Sequence, residues 1–440
     1  MNGSPRIPPT LLKLGQSLHI SEAVVSRLYG TIPNEEILKE ILKALTTAPQ
    51  VYYFRLNLTK TTPDTFETKF LTDFPEDSYN ITPLPNSLRI PVSGPNKIPL
   101  HDHHVYCDKF ACEAVMVGSD LFIPGVQGMN HRIHKGANVS ILLDPRLSQD
   151  HYESNKPVAS GIARIGSRDL PKYRHGIFIS TRISRYSLIK YRTAAIFQHG
   201  LISEQNLPAN IAVGAFMQHI WNTQNNAFPP DLQIVDTCSA PGHKSTGMAE
   251  WGYYISTLHG TPQWPKIVSV DRSANRLTHL HTEIKRLGLT NIEVLACNLS
   301  NLLKIRPELH HSVEYLFLDP PCSALGTRPK LFIDKSEKEL VDYPLNQRRL
   351  LKLVDPLIKP GGFLMYNTCT IPKEENEDIV SYALEKLHYR TVPLPPPFST
   401  YGSPGIPTEQ LLKKDAANLR RFYPSPEEGI GYFIALLQKK

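Results

Sequence analysis

Residues 232–245 read LQIVDTCSAPGHKS. An apolar run from Leu232 to Val235 meets Asp236, and a Pro241-Gly242 turn leads into a helix-forming segment. Working outward, the same rhythm repeats. KIVSVD (266–271) is predicted as a strand, and Leu277, Leu280, Ile284 and Leu287 mark one face of a helix ending at Gly288. IEVLACN and VEYLFLD read as strands. LNQRRLLKLVDPLIKPGG (345–362) reads as helical, kinked or ended early by Pro356. FLMYNTC is a strand, Ile379, Val380, Ala383 and Leu387 line the next helix, and GYFIALLQK closes the chain as a strand. Such alternation predicts an α/β fold, a doubly wound Rossmann-like sheet, over the second half of the chain. Ligands on these sheets bind beyond the carboxyl ends of the strands. Asp236, Asp271, Asn298, Asp319 and Cys369 all fall at or just past strand ends.

The first half reads differently. Ile37, Leu38, Ile41, Leu42 and Leu45 give residues 21–45 a helical pattern. VYYFRLNL (51–58) reads as a strand and residues 63–71 as a helix. From Val105 to Ser187 short apolar runs are broken by glycine: AVMVGSDLFIPGV, KGANVSILLD, ASGIARIG and HGIFIST. That spacing predicts a small β-barrel or sandwich. Prolines cluster at 63–99 and in PLPPPF (393–398), which suggests connecting segments.

At 440 residues the chain is long enough for two or three domains, and 41% hydrophobic with 20% charged residues fits a globular protein. No run approaches the ~20 apolar residues of a membrane span. The stretch MNGSPRIPPTLLKLGQSLHI lacks the apolar core and small-residue cleavage site of a leader. Six cysteines are sparse for this length, so no disulfide framework is expected, and a reducing, cytoplasmic location is. His101, His103, His104, Cys107 and Cys112 form a cluster. Its H-x-H-H-x2-C-x4-C spacing lacks the paired C-x2-C of zinc sites, and Cys112 falls in an apparent strand, so no metal is expected. Nothing calls for an obligate protein partner.

The net charge of +7 is concentrated in one stretch. Arg164, Arg168, Lys172, Arg174, Arg182, Arg185, Lys190 and Arg192 share their segment with a single acid, Asp169. Tyr173, Phe178, Tyr186 and Tyr191 are interleaved. Basic side chains neutralise phosphates and aromatic faces stack on unpaired bases. A solvated surface over ordinary buried aromatics reads equally well.

Two nucleotide signatures fail at DTCSAPGHKS. Gly242 stands alone, which excludes G-x-G-x-x-G, and His243 separates Gly242 from Lys244, which excludes a P-loop. What remains is a tight turn at a helix start, whose free N–H groups suit a carboxylate as well as a phosphate. Asp271 at the tip of the next strand can hold ribose hydroxyls. S-adenosylmethionine, with an amino-acid carboxylate, a ribose and an adenine, satisfies this arrangement.

DTCSAPGHKS, DPPCSALGTRP (319–329) and YNTCTIPKEENE (366–377), in that order on that strand pattern, resemble the Nop/Sun family of RNA cytosine-5 methyltransferases. GIGYFIALLQK resembles the family's closing strand, and the likeness runs from about residue 190 to 440. KGANVSILLD and GIARIGSRDL resemble a PUA domain, an RNA-binding β-barrel, and VYYFRLNL resembles the family's RRM-like N-terminal part. The resemblance implies a division into residues 1–103, 104–188 (PUA) and 189–440 (methyltransferase). It implies methylation of RNA, with tRNA near its 3′ acceptor end as the substrate. Its cofactor site would comprise Cys238, Ser239, Ala240, Pro241, Gly242, His243, Lys244, Asp271, Asn298 and Asp319. His243 stands where a glycine is usual, and Asn298 where an acid is usual. Arg174, Arg182, Arg185 and Lys190 would contact RNA, whereas Arg276 reads as a helix-face residue and Cys297 as a core thiol.

Cytosine C5 is a poor nucleophile until a thiolate adds to C6. Such covalent catalysis splits one difficult step into easier ones. Two strand-end thiols are available, and spacing alone does not choose between them. A Pro-Cys thiol, used by DNA cytosine methyltransferases, would favour Cys322. The Nop/Sun resemblance implies instead that Cys369 attacks and Cys322 aids release, with Asp319 on the N3/N4 edge of cytosine and Lys244 steadying charge.

Overall fold

The computed structural model describes residues 7–147, 155–261, 263–425 and 429–440. Residues 1–6, the start of the segment read for a leader, lie outside the described residues.

Three helices open the chain: α1 (Pro9–Ser17), α2 (Glu22–Thr31) and α3 (Glu35–Thr46). The single helical region expected over 21–45 is therefore two helices. Pro33 has no N–H to continue α2, and the Asn34 side chain starts α3 by accepting from the Ile37 N–H at 3.0 Å. Their apolar faces close on Leu325, Ile333, Leu340 and Ile371 from far along the chain. Next come β1 (Val51–Leu56), α4 (Pro63–Asp73), β2 (Asn80–Ile81) and β3 (Ser87–Pro91).

The inserted unit comprises β4 (His103–Cys107), α5 (Lys109–Met116), β5 (Leu121–Phe122), β6 (Val126–Met129), β7 (Asn138–Leu143), β8 (Ala159–Ala163) and β9 (Ile177–Ser184). Its sheet runs β5-β9-β8-β7-β4-β6. Residues 114–116, expected in a strand, are helical. The Asp108 side chain accepts from the Ala111 N–H at 2.8 Å, and Cys112, Val115 and Met116 bury one helical face. A cap and a three-four spacing outweigh local β-propensity here. Cys112 is thus on a helix. That turn returns it beneath the end of β4, where it forms a disulfide with Cys107, Cα–Cα 5.9 Å, a single local bridge rather than a framework. Among the described residues no cluster of His, Cys, Asp or Glu could hold a metal.

After the insert come α6 (Ala195–Gln198) and β10 (Ile202–Glu204). β10 pairs antiparallel with β1, Phe54 opposite Glu204, completing a four-stranded sheet β10-β1-β3-β2. The insert is therefore spliced into the N-terminal sheet, leaving after β3 and returning at β10.

The remaining chain is α7 (Leu207–Thr223), β11 (Gln233–Thr237), α8 (His243–Leu258), β12 (Lys266–Asp271), α9 (Ala274–Leu287), β13 (Ile292–Ala296), α10 (Leu299–Ile305), β14 (Val313–Leu318), α11 (Glu337–Val354), β15 (Ile358–Thr368), α12 (Glu377–Lys386), β16 (Tyr389–Val392), α13 (Lys413–Ala416), β17 (Arg420–Phe422) and β18 (Tyr432–Lys439). The eight-stranded sheet runs β13-β12-β11-β14-β15-β18-β16, with β17 on β18. β11 to β15 are parallel, and β18 lies antiparallel between β15 and β16. α11 starts earlier than expected, at a Ser336–Glu339 capping box, and stops at Val354 before Pro356. Residues 358–362, expected as helix, begin β15. Alternate residues face opposite layers. Ile234, Tyr315 and Phe363 pack with Phe216 of α7 and Met248 of α8. Val235, Leu316 and Leu364 pack with Leu302, Leu351 and Val380 of α10, α11 and α12. Burial on both faces fixes the register of the central strands and so the place where each one ends.

Candidate active site

The turn after β11 is built from backbone. Cys238 (φ 60°) and Gly242 (φ 113°) are both left-handed. Gly242 is required twice over, because a Cβ there would also strike Leu280 of α9. Asp271, at the end of β12, accepts from the Ala240 N–H at 3.1 Å and the Ser273 N–H at 2.9 Å. Arg276, read from the sequence as a helix-face residue, instead donates to the Ala240 carbonyl and so holds the other backbone group of the same residue. Its only signal was its place in the first turn of α9, beside the Asp271 strand tip.

Under the turn, Asp236 accepts from the Ser245 hydroxyl, which in turn accepts from Ser269 at 2.7 Å. Burial raises the Asp236 carboxyl to about 7 and the Cys238 thiol to about 12. Ser239 Oγ is buried with no partner among the described residues, a polar atom that a bound polar ligand would satisfy. His243 starts α8, and burial lowers its imidazole to about 4, so it is neutral. Lys244 forms an ion pair with Asp319. Burial disfavours the ammonium, but the Asp319 carboxylate outweighs it and holds Lys244 above its ordinary value. Asn298 is exposed at the far strand end, where its side chain caps α10 by accepting from Ser300 N at 3.2 Å. Cys297 beside it is buried, as expected of a core thiol.

The two thiols meet because their strands are neighbours: Leu318 of β14 lies opposite Tyr366 of β15. Cys322 and Cys369 Sγ atoms are 3.4 Å apart and unbridged. The loops carrying them are stapled. Ser323 and Thr370 hydroxyls lie 2.6 Å apart, and the Gly326 N–H donates to the Cys369 carbonyl at 3.1 Å. Glu375 accepts from the Ser323 N–H and from Gln347, both at 2.9 Å. Asn376 donates to the Thr370 carbonyl at 3.1 Å. The hydrogen bond shared with Cys322 lowers Cys369 below the ordinary thiol value. Lys244 acts the same way, against burial and Asp319. Cys322 rises, through its hydrogen bond with Cys369 and its burial. The surroundings of the pair tilt ionisation toward Cys369, the sulfur nearer in effect to the Lys244 ammonium.

The basic stretch divides. Arg174 and Arg182 are exposed, and Arg185 is half-buried. Lys190 donates to the Thr181 carbonyl at 2.5 Å and lies 3.4 Å from Asp120. Phe178 and Tyr186 are core, and Tyr191 packs edge-on to Phe54 at 4.7 Å. Of the four interleaved aromatics only Tyr173 is exposed, so stacking on bases is limited to it. A cavity of about 530 Å³ joins the three units, lined by Tyr52 of β1, Phe122 and Ile177 of the insert, and Arg192, His243 and Lys244.

A seven-strand path with one antiparallel strand next to the edge, a left-handed glycine turn and an acid at the second strand tip define an S-adenosylmethionine-dependent methyltransferase, here with an inserted β-unit. Residues 222–438 match the family model of the 16S rRNA methyltransferase RsmB/F, and residues 103–183 match the PUA domain. The tRNA (cytosine(72)-C(5))-methyltransferase of Pyrococcus horikoshii is 27% identical, covering 93% of this chain and 95% of that protein. Its Mus musculus counterpart NSUN6 is 28% identical over 78% of this chain and 71% of its own. The solved structure of NSun6 from Pyrococcus horikoshii with SFG superposes with a TM-score of 0.76 at 26% identity, covering 96% and 98% of the two chains. The chain belongs to the Nop/Sun family of RNA cytosine-5 methyltransferases, among the members that carry a PUA domain, and its cofactor is S-adenosylmethionine.

Proposed function

We propose that this enzyme methylates C5 of a cytosine in tRNA near the 3′ acceptor end, through a covalent bond between Cys369 and C6 of the ring. The observation that carries this reading is the pair of strand-end thiols, 3.4 Å across, beside the Lys244–Asp319 ion pair. The cofactor is held by the turn from Cys238 to Lys244 with Asp271, Asn298 and Asp319, and when bound it supplies the electrophilic methyl group. The unpartnered Ser239 hydroxyl beside this turn supports that placement.

The Cys369 thiolate forms the sulfur–C6 bond, and C5 becomes electron-rich. Asp319 contacts the N3/N4 edge, and Lys244 balances its charge. After C5 gains the methyl group, its proton passes to water, the C5–H electron pair restores the C5–C6 double bond, and the carbon–sulfur bond breaks, returning its electron pair to Cys369. Cys322 sits where its thiol can stabilise the departing thiolate. The target base must leave its stack to reach the thiols, which is easiest at a helix end.

Arg174, Arg182, Arg185 and Lys190 contact the RNA backbone. The cavity between insert and Lys244 supports a substrate that spans both units. The units act as an RRM-like N-terminal part (1–103, joined by β10), a PUA domain (104–188) and a methyltransferase domain (189–440). The protein works in the cytoplasm without an obligate protein partner. Among the described residues no helix is long and apolar enough to cross a membrane. Ribosomal RNA is the second reading, favoured by the description of the family model over 222–438. Similarity to a tRNA enzyme across insert and core together supports tRNA.

The test is a trap. Acceptor-stem RNA carrying 5-fluorocytosine, incubated with enzyme and cofactor, should give an adduct mapped by mass spectrometry to Cys369. An adduct on Cys322, or none, refutes the mechanism.

A further inference from the structure

Arg55, near the end of β1, is wholly buried, and its guanidinium is spent on the start of α8. Nε and Nη2 donate to the two oxygens of Glu250 at 2.7 and 3.1 Å. Nη2 also donates to Thr246 Oγ1 at 2.9 Å, and Nη1 to the His243 carbonyl at 2.8 Å and to Gln205 Oε1. Every N–H of the fork therefore has an acceptor, and the geometry is one that a lysine cannot reproduce. Gly247 makes room for it, since a Cβ there would sit 2.9 Å from Nη1. The groups held lie along the first two turns of α8, from His243 to Glu250. His243 follows the left-handed Gly242, and Lys244 follows His243. Gln205 comes from the residue after β10, so the clamp draws on both strands at this edge of the N-terminal sheet.

The same sheet grips the methyltransferase unit at a second point, away from the turn. Lys60 donates to the His199 and Arg286 carbonyls at 2.9 and 2.7 Å, and Asn57 to the Leu287 carbonyl at 3.2 Å. If docking alone were needed, this second grip would serve without placing a buried charge against the cofactor turn. Burying an arginine is costly unless its partners are fixed, and here three of them lie along the first two turns of one helix.

We propose that Arg55 is a positioning residue for the cofactor turn: through His243, Thr246 and Glu250 the N-terminal sheet sets where Gly242 and Lys244 stand. This rests on the reading of Cys238 to Lys244 as the cofactor site. The N-terminal unit then serves cofactor binding itself, independently of any contact it makes with RNA.

The test uses the full chain without RNA. Arg55→Lys retains the charge and loses the fork. It should raise the S-adenosylmethionine Kd, read by calorimetry, about tenfold. It should also speed amide exchange at residues 243–247 in the cofactor-free protein. Thr246→Ala, which leaves the ion pair in place, should shift both readouts the same way by less. Lys60→Met is the structural control. It should lower the melting temperature and leave Kd unchanged. An unchanged Kd in both Arg55→Lys and Thr246→Ala overturns the proposal, as does a Kd that tracks melting temperature across all three variants. Asp271→Asn separates the two readings. If it too leaves Kd unchanged, the cofactor site itself has been misplaced. If it weakens binding while Arg55→Lys does not, only the positioning role falls.

Discussion

The two halves of the active site are built by different means. The cofactor half is a backbone object: two left-handed residues, a glycine pressed on Leu280, and the N–H and carbonyl of Ala240 gripped by Asp271 and Arg276. The thiol half is a side-chain object. Two loops 47 residues apart are stapled by Ser323, Thr370, Glu375 and Asn376. A backbone site tolerates change in most side chains but not in conformation. A stapled site depends on a network whose members are felt together. Substitutions on the thiol side should therefore act on chemistry, and those on the cofactor side on affinity.

The largest expected effect is on the thiol side. Cys369→Ala should lower methyl transfer roughly 10⁴-fold or more, as loss of a covalent nucleophile does. Gel-shift affinity for RNA should stay near that of the unaltered chain. Cys322→Ala should instead retain attack and accumulate a protein–RNA adduct stable in denaturing gels. If Cys369→Ala turns over and Cys322→Ala does not, the polarity of the pair is the reverse of that drawn from their environments.

Lys244 touches both halves and tests whether they are coupled. The rate requires the Cys369 thiolate, so it falls as pH drops through that group's lowered pKa. The acid limb should lie below the ordinary thiol value of about 8.5. Lys244→Met removes a cation that favours the thiolate, so the limb should move to higher pH. At neutral pH kcat should drop about 10²-fold. A lower kcat with an unmoved limb would confine Lys244 to the cofactor half.

The sequence carried these halves unequally. The turn was legible because its constraints are local: Gly242 and Asp271 are read from one βαβ unit. Both thiols were legible as strand-end residues. Their separation was not, because it depends on β14 and β15 being neighbours. Glu375 and Arg276 were passed over because an acid in a charged run and an arginine on a polar helix face look like solvated surface. Their acceptor or donor partners are distant in sequence or on another element. The same blindness placed Cys112 in a strand, since the Asp108 cap that makes α5 is one side chain among many.

Gly242→Ala isolates the cofactor half. It must hold φ near 113° and displace Leu280, a strain of about 1–3 kcal/mol. The cofactor Kd should rise about tenfold, since each ~1.4 kcal/mol is a factor of ten. Reactivity of Cys369 toward iodoacetamide, measured without cofactor, should be unchanged. Parallel loss of thiol reactivity would mean the two halves share one network after all.

The smallest effect lies outside both halves. Arg174 and Arg182 are exposed on the insert, whereas Lys190 is already engaged by Thr181 and Asp120. Each phosphate contact to a single strand contributes about 0.7 to the slope of log K against log salt. Changing Arg174 and Arg182 to Gln together should flatten that slope by about 1.4, raising KM for RNA with kcat nearly unchanged. Lys190→Gln should change the slope less than either arginine alone, because its ammonium must give up two protein partners to reach a phosphate. An equal contribution from Lys190 would show that the bound RNA opens the Thr181–Asp120 contact, and that the insert rearranges where the two halves of the active site do not.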